Sequence, residues 1–239
     1  MDKLSVIIPC YNHGKYLREA IESLYSNWIT IDMEVMVVDD CSTDDSFDIA
    51  INLSKEFGFS IYQMEKNSKL SAVRNEGIRR TNGNIIVCLD SDDKLPPNYL
   101  QDNYNNMLMY SIDVSYNNSL MFGATNKEIE WPEFNIETLR RSPFIHCSSM
   151  YRKEIWESVG GYDESMIDGW EDYEFWMRAA RAGFKFKKCN STHLFYRQGS
   201  TQFSQVHGPS AKLKNVKNYI KKKHAGFYLG GSSYGTNIL

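Results

Sequence analysis

Residues 85–93 read Ile-Ile-Val-Cys-Leu-Asp-Ser-Asp-Asp. The five apolar residues at the start of this stretch have no polar alternation, which is typical of a strand that is covered on both faces of a sheet. Three of the four residues that follow carry carboxylates. Ligands of an open α/β sheet gather beyond the carboxyl ends of its strands. The stretch therefore predicts a buried strand that delivers acidic groups to a ligand site.

Short apolar runs alternate with amphipathic segments on the N-terminal side of this strand. The predicted elements are a strand at 6–8, a helix from about 15, a strand at 35–38, a helix at 47–57, a strand at 61–64 and a helix that ends before 82. The helices are recognised by apolar residues that form one stripe against a sheet. This alternation predicts an α/β fold with a mostly parallel central sheet flanked by helices.

The pattern is less regular after Pro96-Pro97, which opens a further helix. Residues 111–141 show no clear period, and we expect mixed structure there. Strands are predicted at 148–151 and 192–196, and a helix from about 171 to the glycine at 183. The first half is therefore the better defined part of the predicted fold.

The composition excludes several classes of protein. With 239 residues, 42% hydrophobic and 24% charged, the chain fits one large globular domain or two small ones, and not a disordered or fibrous protein. A net charge of -3 gives no global reason to bind nucleic acid, so we expect no nucleic-acid partner. Five scattered cysteines without a Cys-x-x-Cys pair predict neither a disulfide framework nor a zinc site.

The sequence also predicts a cytoplasmic location. The apolar run after Ser5 is too short for a signal peptide, and no stretch reaches the ~18 apolar residues of a membrane span. The cysteine pattern favours a reducing compartment. We therefore expect a protein that is soluble or peripheral to the inner face of a membrane.

A second acidic group, Asp39-Asp40, follows the strand predicted at 35–38. Two acid clusters at the ends of neighbouring strands repel each other unless a cation or a hydrogen-bond donor lies between them. Carboxylate oxygens favour Mg2+ or Mn2+, and Asp92 is the first candidate metal ligand. The alternative is that these aspartates are solvated and only cap helices. No glycine-rich nucleotide-binding loop of either common type follows a strand, so metal and side chains would have to hold phosphates.

Six short blocks occur in order along the chain: 5–12, 37–44, 72–77, 89–93, 160–164 and 170–174. Together they resemble the motifs of family 2 glycosyltransferases with the GT-A fold, and the resemblance covers about residues 4–197. It implies one GT-A-like domain over 1–210, with a Rossmann-like nucleotide-sugar half at 1–110 and an acceptor half at 111–210. Residues 211–239 would form a basic C-terminal tail.

The resemblance implies an inverting transfer of a sugar from a nucleotide diphosphate sugar to an acceptor hydroxyl, in glycan or polysaccharide biosynthesis. The implied nucleotide-sugar-binding residues are Pro9, Tyr11, Asn12, Asp40, Arg74, Asp90 and Ser91. Asp40 would accept a hydrogen bond from the nucleobase. An ionised carboxylate only accepts, so it matches the N3–H of uracil or thymine and not the bare N3 of cytosine, which favours a UDP-sugar. For Arg74 the alternative is an ordinary surface arginine.

The metal site implied by the resemblance lies in the Asp-x-Asp motif that begins at Asp90. Its last acid, Asp92, would bind Mn2+ or Mg2+ on the diphosphate. The chain departs from the family pattern because no histidine closely follows Tyr196-Arg197. His207 is the nearest downstream candidate for a metal contact, and an ordinary exposed histidine is the equal alternative.

The catalytic residues implied by the resemblance are Asp172 and Glu171. Asp172 matches the base that removes the proton of the acceptor hydroxyl, and we expect the N-terminus of its helix to stabilise the anionic form. Glu171 would hold the acceptor or orient its neighbour. Trp170 would stack on a sugar of the acceptor.

Six lysines lie between residues 212 and 224, around an apolar stripe. Two interpretations remain open for this tail: a short helix on anionic lipid, or an amphipathic helix packed on the domain. The acceptor implied by the family is a glycan, a lipid-linked sugar or a protein, and the sequence determines neither its identity nor the oligomeric state. A non-catalytic nucleotide-sugar-binding module is the alternative function, and a sugar nucleotidyltransferase is a weaker one.

Overall fold

A mixed sheet forms the centre of the molecule. The computed structural model describes residues 1–199 and 211–228. The strands are β1 (Lys3–Cys10), β2 (Asp32–Asp39), β3 (Ser60–Gln63), β4 (Ile85–Cys88), β5 (Val114–Gly123), β6 (Lys127–Ile129), β7 (Met150–Arg152) and β8 (Phe186–Gln198). The helices are α1 (Gly14–Tyr25), α2 (Ser46–Phe57), α3 (Lys69–Arg79), α4 (Tyr99–Tyr110), α5 (Ile136–Arg141), α6 (Lys153–Val159), α7 (Glu171–Arg181), α8 (Ala211–Lys223) and α9 (Ala225–Tyr228).

The first half of the chain forms four parallel strands in the order β3-β2-β1-β4. Cys10 lies opposite Asp39 in the β1–β2 register, and Ile7 lies opposite Cys88 in the β1–β4 register. The carboxyl ends of β1, β2 and β4 therefore meet at one edge of the sheet. This arrangement confirms the α/β fold that the sequence predicts, with helices flanking a mostly parallel sheet.

The second half extends the same sheet. β7 pairs antiparallel with β4 and β5, and β8 runs parallel along the whole of β5. Residues 111–141, which the sequence left as mixed, contain β5, β6 and α5. The physical reason for this miss is that β5 buries polar side chains, so it lacks an apolar run. Ser115 is fully buried, accepts from Asn106 at 2.9 Å and donates to Asn103 at 2.7 Å.

Two large apolar clusters and a small third one cover the two faces of the sheet. Successive residues of β1 point to opposite faces, so Ile8 belongs to one cluster and Ile7 to the other. The first cluster lies under α1, α2 and α4, and the second lies under α5, α6 and α7. Complete burial of one such side chain contributes roughly 1.5–3 kcal/mol, which makes the two clusters the main stabilising contribution.

Helix α8 packs on the second cluster. Val216 and Ile220 are buried there, and His224 and Lys223 donate to the buried carboxylate of Glu174 on α7 at 2.9 and 2.8 Å. The apolar residues that a lipid-bound helix would place against a membrane are thus covered by the protein itself, as the packed-helix interpretation expects. Within residues 1–199 and 211–228, no helix is long and apolar enough to cross a bilayer.

Gly77 allows α3 to approach β1 closely. A Cβ at this position would lie 2.5 Å from Cγ2 of Ile7 and 3.2 Å from Cγ2 of Val38. We expect Gly77→Ala to destabilise the protein by about 1–2 kcal/mol, since overpacking outweighs the better helix propensity of alanine. The control is Gly226→Ala in α9, where a Cβ meets nothing within 4 Å. Urea unfolding measures both, and equal stability of the two variants would contradict the tight contact.

Candidate active site

The loops after β1, β2 and β4 are tied together at the edge of the sheet. The side-chain amide of Asn12 donates to Oγ1 of Thr43 at 3.1 Å, and its carbonyl accepts from the Thr43 backbone N–H at 2.8 Å. Oγ of Ser91 lies 2.9 Å from Nδ1 of His13. Asn12 and Ser91, two of the residues implied by the resemblance, thus link the three loops to one another.

Asp40 lies at the N-terminus of α3. Its carboxylate accepts the backbone N–H groups of Ser68 at 2.6 Å and Lys69 at 2.9 Å. Burial raises the pKa of Asp40, and the two backbone donors oppose that shift. Each oxygen of a carboxylate has two acceptor sites, so Asp40 keeps acceptor capacity for one more donor. Nearby, Pro9 is buried at the end of β1, and Tyr11 is exposed just beyond it.

Asn67 is a candidate site residue that the sequence reasoning missed. Its amide nitrogen and oxygen are both buried and have no hydrogen-bond partner among the described residues. The same holds for Oδ1 of Asp39. Buried polar atoms without partners are rare, and a bound ligand is one explanation for them. Asn67 follows β3, so the rule that ligands gather beyond strand ends could have identified it, had it been applied to amides as well as to carboxylates.

The acidic series after β4 has three different environments. Asp90 accepts from Nη2 of Arg74 at 2.8 Å and from Sγ of Cys147 at 3.3 Å. Asp93 is buried and accepts the backbone N–H of Arg197 at 2.8 Å, and burial together with the charges of Asp92 and Asp90 raises its pKa well above the usual range. Asp92 is only partly buried, and its backbone carbonyl accepts from Nε of Arg197 at 2.7 Å.

The carboxylates that follow β4 fit a divalent cation that also binds the phosphate oxygens of a diphosphate. In the part of the chain that the structure describes, no three His, Cys, Asp or Glu side chains are arranged to hold a metal ion by themselves. Mg2+ and Mn2+ commonly use one or two carboxylates and fill the other positions with phosphate oxygens and water. The partly exposed Asp92 beside the buried Asp93 suits this mode. His207, the other metal candidate, lies outside the described residues.

Arg74 is neither on the surface nor unpaired. The side chain is 2% exposed and donates to Asp90 at the end of β4 and to Glu171 at the start of α7. The carboxylates around it help to hold its pKa well above the usual value, so the guanidinium stays charged. Arg74 therefore joins Asp90, just after β4, to Glu171, which lies 97 residues further along the chain than Arg74.

Asp172 has an unusual carboxyl group. Burial, and then the adjacent charge of Glu171, raise its pKa to about 7, although Arg74 and the backbone N–H of Tyr173 oppose the shift. The expectation that the helix N-terminus keeps this group anionic is wrong, because burial and the charge of Glu171 outweigh the helix and raise the pKa. Trp170 caps α7 with a left-handed φ of 63° and lies edge-on to Tyr173, with ring centroids 5.7 Å apart.

The profile described as "Glycosyl transferase family 2" matches residues 5–162. The chain therefore belongs to glycosyltransferase family 2, as its sequence motifs indicate. It is 28% identical over 218 residues to the chondroitin synthase of Escherichia coli, a match that covers 89% of this chain and 30% of the synthase. The chain thus spans less than a third of that relative.

Solved structures confirm the GT-A fold. TarS from S. aureus, residues 1–349 in complex with UDP-GlcNAc, aligns with a TM-score of 0.79 and 21% identity over 97% of this chain and 68% of that one. The mannosyltransferase PcManGT from Pyrobaculum calidifontis, in complex with GDP-Man and Mn2+, aligns with a TM-score of 0.67 and 16% identity, over 97% of this chain and 70% of that one.

Removal of the Arg74 charge is expected to destabilise the fold. Arg74→Met leaves Asp90 and Glu171 without their cation, and breaking a buried pair in this way costs about 3–5 kcal/mol. The control is Arg79→Met on the same helix, because Arg79 is 48% exposed and exposed pairs contribute roughly 0–1 kcal/mol. Chemical denaturation of both variants measures the difference. Similar losses would contradict a central role for Arg74.

Proposed function

We propose that this glycosyltransferase moves a sugar from a UDP-sugar to a hydroxyl of an acceptor glycan, with inversion at the anomeric carbon and a divalent cation on the diphosphate. The observation that carries the proposal is the bridge made by Arg74. It places the acidic series after β4 beside Asp172, whose raised pKa of about 7 suits a base at neutral pH.

Asp40 and Asn67 support uracil as the base of the donor. An asparagine amide offers one acceptor and two donor hydrogens, which complement the alternating carbonyl and N–H groups on the edge of uracil. Asn67, whose amide has no hydrogen-bond partner among the described residues, directly precedes Ser68, and the backbone N–H of Ser68 donates to Asp40, so we assign both side chains to the base. The UDP-GlcNAc bound by TarS agrees with this choice.

Asp92 is the residue that would hold the cation. When bound, the ion supplies Lewis-acid stabilisation of the diphosphate that leaves with the nucleoside. Asp90, paired with Arg74, would face the ribose, and Asp93 fixes the loop by accepting from the backbone of Arg197. The Mn2+ in the complex of PcManGT supports a divalent ion in this fold.

Asp172 acts as the base in a single displacement. The acceptor oxygen forms a bond to the anomeric carbon while its proton passes to the carboxylate of Asp172, and the bond to the diphosphate oxygen breaks with its electrons on UDP. Attack from the face opposite the leaving group gives inversion. Glu171 is a positioning residue because its carboxylate is held by Arg74, and its charge keeps Asp172 basic.

Calorimetric titration with UDP, GDP, CDP and dTDP, with and without Mn2+, tests the donor site. We expect the tightest binding for UDP in the presence of Mn2+, and at least tenfold weaker binding when the metal is omitted. Asn67→Ala is expected to weaken UDP binding about tenfold, the loss of one or two hydrogen bonds at roughly 1.4 kcal/mol. Equal binding of CDP and UDP would reject the uracil pocket, and metal-independent binding would reject the role of Asp92.

The pH dependence of turnover tests the base. The rate of UDP release should rise with pH and level off above about 7, as Asp172 loses its proton. Glu171→Gln removes the adjacent negative charge, which should shift this rise to lower pH, whereas Glu157→Gln, an exposed residue on α6, should not move it. Asp172→Asn should lower the rate by about 10²–10⁴-fold, the usual contribution of a general base. A pH profile that is unchanged in Glu171→Gln would remove Asp172 from this role.

A further inference from the structure

A groove lies beside the start of α7, between α5 and α8. Its volume is about 560 Å3. Three aromatic residues line it: Trp131, Trp170 and Tyr173. Trp170, the N-cap of α7, lies two residues before Asp172 and Tyr173 lies one residue after it, so the groove borders the chain segment that carries the proposed base. The aromatic faces are suited to stacking on sugar rings or on the carbon chain of a polyol.

The same groove is strongly cationic. Arg140, Arg141, Lys217 and Lys221 line it, and no acidic residue is among its lining residues in the described part of the chain. Arg140 pairs with Glu137 at 2.5 Å, and the Nζ atom of Lys217 lies 5.1 Å from the ring centroid of Trp170. Several cations around one groove repel one another, so a ligand with several negative groups relieves the repulsion.

Helix α8 carries lysines that line the groove and lysines that do not, and the two kinds can be compared. Lys217 and Lys221 are four residues apart, about 6 Å along the helix, so they lie on one face and meet the groove together. Lys214 and Lys222 belong to the same helix and are exposed, but they do not line the groove. The contrast separates a local effect of two lysines from the general charge of the helix.

We propose that this groove binds the acceptor, and that the acceptor is a polyanionic chain whose repeating units carry carboxylate or phosphodiester groups. The inference rests on the proposed function, because only a transferase has an acceptor to place beside Asp172. The cations pair with the negative groups of successive units, and the aromatic residues contact the rings or polyol carbons between them. The neutral end of the chain then presents its hydroxyl to Asp172.

Binding of defined oligomers to the full chain tests the inference. The probes are a hyaluronan octasaccharide, which carries carboxylates, a ribitol-phosphate octamer, which carries phosphodiesters, and a chitin hexamer, which is neutral. Calorimetry at one fixed, low salt concentration should give at least tenfold tighter binding for one of the anionic probes than for the chitin hexamer. The anionic probe that binds more tightly shows whether the acceptor carries carboxylates or phosphodiesters.

The variants decide whether the groove is responsible. Lys217→Ala/Lys221→Ala should weaken binding of that anionic probe at least tenfold, and Lys214→Ala/Lys222→Ala should change it by less than twofold. Both double variants replace lysine by alanine on the same helix, so they have the same effect on helix propensity and on net charge. Equal loss in both would show non-specific attraction and overturn the proposal, as would equal affinity for the neutral probe or no binding of either anionic probe.

UDP titration of the same preparations separates this inference from the proposed function. If UDP binds with Mn2+ and both anionic oligomers fail to bind, the acceptor inference is wrong and the donor site stands. If an anionic oligomer binds through the groove and no nucleotide binds, the proposed function is wrong, and the groove is only a polyanion-binding site. The urea unfolding midpoint of each variant is measured to check that the variant is folded.

Discussion

Arg74 brings a positive charge into the interior, where it is stable only between carboxylates. A buried cation without partners is strongly unfavourable, because water no longer solvates it. Asp90 and Glu171 therefore have to approach the same guanidinium, and this requirement brings the end of β4 to the start of α7. A single side chain thus links the loop after β4 to the start of α7. The proximity of Glu171, which this arrangement fixes, is also one cause of the raised pKa of Asp172.

The parts of the fold that follow simple periodicity could be predicted from the sequence. The strands of the first half are apolar runs, because both faces of the sheet are covered, and acids stand where these strands end. The second half was harder, because β5 alternates apolar residues with Ser115, Asn117 and Ser119, all of them buried. Hydrogen bonds to partners distant in the chain make that burial acceptable, and a sequence pattern does not reveal such partners.

The features of the candidate site likewise separate into those that the sequence predicts and those that it does not. The blocks that resemble family 2 indicated Asp40, Asp92 and Asp172 as residues at strand and helix ends. The environment of each group could not be derived in that way. The bond from Asp40 to the N-terminus of α3, the unpartnered amide of Asn67 and the burial of Asp172 all depend on loops packing against one another. Arg74 is the clearest case, because its role is defined by two partners from other parts of the chain.

Ile7 and Ile8 point to opposite faces of β1, and this bears on whether the two halves of the chain could fold separately. One strand contributes to both apolar clusters, and the second cluster draws most of its members from beyond residue 111. On this face α3 covers Ile7 and Val38, and residues beyond 111 cover most of the rest. Residues 1–110 and the described residues after 110 therefore share one apolar core. If the groove binds the acceptor as proposed, substitution of exposed groove residues such as Lys217 and Lys221 can change the acceptor preference and leave this shared core intact.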